Sequence, residues 1–560
     1  MKISHITSST LFLGVCLLAS CKTEVSKRPV TARPAAPAKS PVTVPGQEGE
    51  TRLTAMSPIP VLCAASERGD ALGEAILGYL LVHGLHVPQN VEEGLQLLQR
   101  SADQGFAHAM AELGNLYLNG KLVPQDYEKA LHWLKLGADK DEAGAERDLG
   151  VCYQKGYGVE TNFSTAAVWY RRAAGQTNYV AMKDLGALYM DGTGVAQDDD
   201  TAIHWLTLAA EKGHIARAMY DLGVLGENGR LGENSQRKAI GWYQDGADLD
   251  DPLACWRLAI CYNYGKGVPK DFAKYFYLAG KAANQGVAEA QFFVGEAYRL
   301  GKDVPPSREL AMSWYRGAAT NNYPDACYNL AVEYLEDKTN EASRVEAGRY
   351  MLQAAQLEHR QAQTLYALAS LQGTFAPKDL TQWKEWLKRA AKGGWPKAEF
   401  MMSQALMSPW APFAKDETEG EKWLEQAAAH GDFEAQCKLA IRLMQGIDVA
   451  KNPSQAVKWW RWAAEHGYPQ AQNDLGYAIE TGDSEKADLV EACMWFQLAA
   501  KGGIDPARVN LKNISGSLTA EQLDEATRRS ANFQPQPLPT LNPIRRDGDI
   551  GTPSLNMSGD

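Results

Sequence analysis

Ala202-Ile203-His204-Trp205-Leu206-Thr207-Leu208-Ala209-Ala210-Glu211-Lys212-Gly213 decides the fold, because its outline returns along most of the chain. Ala210 stands in a column with Ala102, Ala138, Ala174, Ala247, Ala283, Ala319, Ala355, Ala391, Ala428, Ala464 and Ala500, spaced at 36 or 37 residues. Trp205 stands in a second column: Leu97, Trp133, Trp169, Trp205, Trp242, Leu278, Trp314, Tyr350, Trp386, Trp423, Trp459 and Trp495. Nine of the fifteen tryptophans fall there, so the column reflects copying of one unit rather than composition. A third column holds only small residues, among them Gly78, Gly114, Gly186, Gly223, Ala259, Gly295, Ala331, Ser403 and Gly476. A fixed period between 20 and 50 residues marks a solenoid.

Each copy reads as two helices. In Ala107–Leu118 the positions Ala109, Leu113, Leu116 and Tyr117 recur at three and four, which is helical spacing. Ala130, Trp133, Leu134, Gly137 and Ala138 do the same. Gly120 and Pro124 break the chain between them, and Gly156-Tyr157-Gly158-Val159, Gly192-Thr193-Gly194-Val195 and Gly265-Lys266-Gly267-Val268 repeat that connector. Glycine lets the chain leave a helix through positive φ, and the following valine can fold back as a plug. A small residue lets two helices approach, and the bulky Trp or Tyr is expected to fill what remains. Trp256, Trp383, Trp395, Trp410, Trp460 and Trp462 lie off the column. They are the candidates for an exposed stacking platform, set against a packing role.

These units resemble Sel1-like repeats, the 36-to-38-residue relatives of the tetratricopeptide repeat. The resemblance rests on Ala130-Leu131-His132-Trp133-Leu134, on Ala202 to Gly213, on Ala181…Asp184-Leu185-Gly186…Tyr189 and on the Gly192–Val195 connector. It covers about residues 62–503. It implies an all-α, α/α superhelical solenoid of about twelve repeats used for protein–protein contact, with the first helices lining a concave face. Glu336–Ala342 lacks the glycine turn, and Ser408–Glu417 carries Pro and Trp instead.

The ends read differently. Lys2 and the apolar run Leu11–Ala19 fit a signal peptide, being too short to span a bilayer. Leu18-Ala19-Ser20-Cys21 resembles the bacterial lipoprotein signal, against an ordinary secretory signal with a chance cysteine. The resemblance implies a diacylglycerol thioether on Cys21 and a bacterial envelope protein. Lys22 is not the aspartate that some bacteria read as inner-membrane retention, which favours the outer membrane with the solenoid in the periplasm. The expected division is a signal peptide over 1–20, lipidated Cys21 with a Pro/Ala-rich tether over 21–60, repeats over 61–503, a capping helix within 504–533 and a tail over 534–560. Leu518–Phe533 reads as that helix, with Ser517 or Thr519 at its start.

The 57 basic and 68 acidic residues give a net −11 without a basic stripe, so nucleic acid is not an expected partner. Seven cysteines follow Cys21, an odd number, and read mostly as small core residues. No phosphate loop or HExxH pair is present, and neither a cofactor nor a metal is expected. His83 and His86 stand three apart without a third ligand, and Asp198-Asp199-Asp200 reads as a solvated helix start. Ser235-Gln236-Arg237-Lys238 matches the S-x-x-K of penicillin-recognising enzymes, but the accompanying K-T-G is absent. The expected function is a lipid-anchored envelope scaffold that binds a protein or peptide, and not an enzyme. The alternatives are a β-lactam-binding or hydrolysing Sel1-like enzyme and a passive envelope spacer.

Overall fold

The structure, a computed structural model, describes residues 57–337, 340–408, 415–482 and 487–537. The signal segment, Cys21 and Trp410 lie outside the described residues. Twenty-seven helices follow one another with no strand among the described residues. They divide into two compact units at Thr161/Asn162. The first holds Ile59–Glu67, then Ala71–His83, Val91–Asp103, Ala107–Asn119, Tyr127–Ala138 and Ala143–Lys155. The second runs from Phe163–Gly175 to Ala520–Asn532. Within each unit the helices form antiparallel pairs, and each pair stacks on the next.

The pairs close through the small column, but the residue that meets it is not the tryptophan. A Cβ built on Gly186 would stand 2.7 Å from Leu206 Cγ, one on Gly295 2.8 Å from Tyr315 Cε1, and one on Gly476 2.9 Å from Phe496 Cε1. Leu206, Tyr315 and Phe496 each follow a tryptophan in the chain and are wholly buried. The expectation that tryptophan fills this gap is therefore corrected by one position. Trp386, Trp459 and Trp495 are buried, while Trp133, Trp169, Trp205, Trp242, Trp314 and Trp423 are half-buried. The reason is helical phase. One residue turns the side chain by about 100°, so the tryptophan points to the rim when its successor points at the facing helix. Off the column, Trp256, Trp383 and Trp460 are buried, and Trp395 and Trp462 half-buried.

Two further columns hold the array. Every second helix but Ser235–Asp248 starts at Asn or Asp, or once at Ser, whose side chain accepts a backbone N–H of the first turn: Asn90, Asp126, Asn162, Asp198, Asp271, Ser307, Asn340, Asp379, Asp416, Asn452 and Asp488. Such a cap satisfies a donor with no partner inside the helix. Where the glycine turn is missing, Asn340 caps three residues ahead of the in-phase Ser343, and the helix Glu341–Gln356 lengthens to 16 residues. Buried glutamines form the other column. The Gln291, Gln363, Gln436 and Gln472 amides donate to the carbonyls of Ala283, Ala355, Ala428 and Ala464 at 3.0, 3.1, 2.9 and 3.2 Å. Each bond ties a first helix to the end of the second helix before it.

The turn between repeats needs positive φ, found at Gly105, Asp141, Thr177, His214, Asp250, Gly286, Asn322, Glu358, Gly394, Gly431, Gly467 and Gly503. Gly394 has nothing within 4 Å of a built Cβ, so conformation alone selects glycine there. After the last repeat the chain forms Asp505–Ser515 and then Ala520–Asn532, which starts with a capping box between Thr519 and Gln522. Both helices pack on Leu489–Lys501.

Four outcomes follow for stability, read by urea titration with circular dichroism. Gly295→Ala should destabilise by about 1–3 kcal/mol, because the Tyr315 ring has no room to move, whereas Gly241→Ala, on an open helix face, should stabilise by about 0.5–1 kcal/mol. Thr177→Gly should stabilise by about 1 kcal/mol, since a β-branched residue is held at φ 66°; Gly394→Ala should cost a similar amount.

Candidate functional site

Several first helices touch the first helix of the next pair, as Ala107–Asn119 and Ala143–Lys155 do, or Ala216–Glu227 and Pro252–Tyr264. Second helices of successive repeats have no comparable contact among the described pairs, apart from the terminal cap. The layer whose helices lie closer together is the inner one, so the first helices present the inner face where they touch, over residues 71–155, 179–264 and 433–515.

In the second unit these helices carry an aromatic stripe, buried at Trp256 and half-buried at its other three rings. Tyr220, Trp256, Phe292 and Tyr328 recur at 36 residues on four successive first helices. Trp256 Nε1 donates to Glu289 Oε2 at 2.8 Å, and its ring lies 5.5 Å from Phe293. Tyr328 stacks on His359 at 4.6 Å, whose Nε2 meets Asp325 at 3.2 Å. Arg217 lies over Tyr220 at 5.5 Å and donates from Nε to Asp251 Oδ2 at 2.9 Å. Carboxylates flank the rings. Glu296 accepts from Asn329 Nδ2 at 2.9 Å, from the Arg299 guanidinium and from the Tyr315 hydroxyl. Burial pushes the Asp221 carboxyl up to about 7, with Lys183 and Arg217 opposing and Asp191 and Asp251 adding to the rise. The first unit carries a polar counterpart: His83 Nε2 meets Glu112 at 2.7 Å, and Asn115 Nδ2 donates to Asp148 Oδ2 at 2.8 Å.

The other sequence candidates have structural work. His83 is engaged with Glu112 and lies against Tyr79, while His86 sits in the following turn at φ 61°. No group of three metal-binding side chains occurs among the described residues. Asp198 caps a helix, and Asp199 binds Arg230, which also donates to the Met190 carbonyl. Ser235 Oγ accepts from Leu231 N–H at 3.0 Å, and Lys238 Nζ donates to the Leu231 carbonyl at 2.9 Å. The S-x-x-K match is thus a clamp on one loop residue, with Ser235 in phase with the helix-start column. The described cysteines are unpaired, and all but Cys63 are buried.

A stack of helix pairs with an extended polar and aromatic inner face defines an all-α repeat protein of the protein-binding scaffold class. Twelve successive segments covering 71–178, 180–214 and 216–504 match the Sel1 repeat, and the chain belongs to the Sel1 repeat family. It is 28% identical over 247 residues to chitin synthase regulatory factor 3 of Schizosaccharomyces pombe, covering 42% of this chain and 26% of that protein. It is equally identical over 247 residues to the chitin synthase regulator SKT5 of Saccharomyces cerevisiae, covering 35% of that protein. The matched part thus spans a quarter to a third of these relatives. Among solved structures it is similar to c5321, a protective antigen of uropathogenic Escherichia coli with an SLR fold, at TM-score 0.51 and 29% identity over 85% of this chain and 94% of that one.

Asp221 supplies a pH test. Its folded pKa lies above its unfolded value, so the folded chain binds more protons between the two. Stability then falls as pH rises from about 4 to about 7 and stays low above that. Asp221→Asn should raise the melting temperature at pH 8 by about 2 °C or more and leave it unchanged at pH 3.

Proposed function

We propose that this chain is a lipid-anchored scaffold of the bacterial cell envelope that binds an extended protein segment along its first-helix face. The half-buried rings Tyr220, Phe292 and Tyr328, with Trp256 buried between the first two, carry the reading. Rings at a fixed 36-residue period, bordered by Asp221, Glu289, Glu296 and Asp325, suit a peptide of alternating apolar and basic side chains. A featureless polar face would suit a spacer instead. Ser235 and Lys238 both engage Leu231, which favours binding over β-lactam chemistry. An adaptor role is in keeping with the two fungal relatives, which are named as regulators of chitin synthase.

Anchoring rests on Leu18-Ala19-Ser20-Cys21. No helix among the described residues is long and apolar enough to cross a membrane. A lipid on Cys21 would hold the repeats at the outer membrane, in the periplasm, with the Pro/Ala-rich stretch as spacer.

Capture from detergent-solubilised envelope, with the full chain as bait, tests both parts. The double charge reversal Glu289→Lys/Asp325→Lys should lower partner recovery about tenfold or more, with unchanged circular dichroism. Cys21→Ser should move the chain from the membrane to the soluble fraction. Equal recovery by both baits would overturn the assignment of the face, and continued sedimentation of the Cys21 variant would overturn the anchor.

A further inference from the structure

The last helix, Ala520–Asn532, releases the chain into a proline-containing strap, Phe533-Gln534-Pro535-Gln536-Pro537. The strap turns back over the repeats. Phe533 leaves the helix at φ −65°, ψ 129°, an extended conformation, and proline holds the residue before it extended too. The Phe533 ring meets Trp495 edge-on at 5.5 Å. Two residues on, Pro535 lies against Gly467, where a built Cβ would stand 3.2 Å from its Cβ and Cγ. The Gln536 N–H then donates to the Glu465 carbonyl at 2.9 Å, and its side-chain amide to Glu465 Oε2 at 3.2 Å.

Each anchor uses a property of the repeat end. Glu465 closes the helix Pro453–Glu465, and the last carbonyls of a helix lack partners inside it. A peptide N–H arriving from outside supplies one. Gly467 occupies the positive-φ turn between repeats; at the same turn elsewhere stand Asp141, Thr177, His214 or Glu358, whose side chains would occupy this slot. Trp495 belongs to the tryptophan column, and here the partner of its ring comes from outside the repeats. The combination reads aromatic-x-Pro-x, with one backbone hydrogen bond after the proline. An extended proline segment is stiff before it binds and loses little freedom on docking.

We propose that this outer edge, formed by Glu465, Gly467 and Trp495, is a binding site for an extended aromatic-x-Pro-x-Pro peptide, filled in the resting chain by its own residues 533–537. The hold is light. Gln534, Pro535, Gln536 and Pro537 are exposed, and only Phe533 is half-buried. The strap is thus an exchangeable occupant, and a peptide of the same pattern on another protein displaces it. The site lies on second helices, away from the first-helix stripe, so the two assignments stand or fall separately.

The probe is a fluorescent peptide of residues 531–540, Ala-Asn-Phe-Gln-Pro-Gln-Pro-Leu-Pro-Thr, titrated by anisotropy into the full chain. A tethered segment has an effective concentration of about 1 mM; with an intrinsic dissociation constant of about 0.1 mM it weakens a competitor about tenfold. The Phe533→Ala/Pro535→Ala chain should therefore bind the peptide about tenfold more tightly than the unaltered chain. A peptide with Gln536→Pro, which lacks the donating N–H, should not bind. Glu465→Lys in the double variant should weaken binding with unchanged circular dichroism. Equal binding to both chains, binding to neither, or indifference to Gln536→Pro would overturn the proposal and leave the strap as packing alone.

Discussion

The contact between a small residue on one helix and a large one on its partner sets everything else in this chain. Gly186 against Leu206, Gly295 against Tyr315 and Gly476 against Phe496 are instances of one arrangement. A side chain on the first helix would force the pair apart, and a smaller one on the second would leave a void; interiors packed near crystal density tolerate neither. Because each pair buries only part of its surface, stability comes from the next pair in the stack.

Polar groups fix the stacking that the apolar contact permits. A hydrophobic layer alone lets neighbouring pairs slide, since its attraction has no direction. The glutamines reaching back to Ala283, Ala355, Ala428 and Ala464 remove that freedom. Within a pair, glutamates hold the second-helix end of their own repeat, as Glu74 holds Arg100 and Glu399 holds His430. Glu399 keeps the His430 imidazole above its ordinary range. The turns between repeats then all return the chain through positive φ, whether the residue there is glycine or not.

Under the proposed function, recognition falls to positions at the edge of the core. On the first helices these carry Tyr220, Phe292 and Tyr328 with their carboxylates. Their rings are braced by neighbours, as Tyr328 is by His359, so a ligand meets surfaces already in place. Preorganisation of this kind lowers the entropy lost on binding. The strap at the far end uses a different resource, the open backbone of a repeat end. A solenoid thus offers two kinds of surface, one made of side chains and one made of helix termini.

The repeat period, the helix pairs and the glycine connectors were legible in the sequence, because each is local and is copied at 36 or 37 residues. The helix-start column from Asn90 to Asp488 lies in the sequence too but is harder to see, since Asn, Asp and Ser alternate and no single letter repeats. The glutamine bonds were not legible: Met110, Cys255 and Cys327 share that column, and only the structure shows which carbonyl lies within reach. The same holds for Trp205 and Leu206. Periodicity marks both as apolar, but a rotation of one residue about the helix axis decides which faces the partner. The sequence by itself determined that a two-helix unit is stacked many times over. Only the tertiary structure decided which side chains touch, because helix phase and inter-repeat angle are set by contacts between residues far apart in sequence, 20 positions for Gly186 and Leu206 and 34 for Arg217 and Asp251.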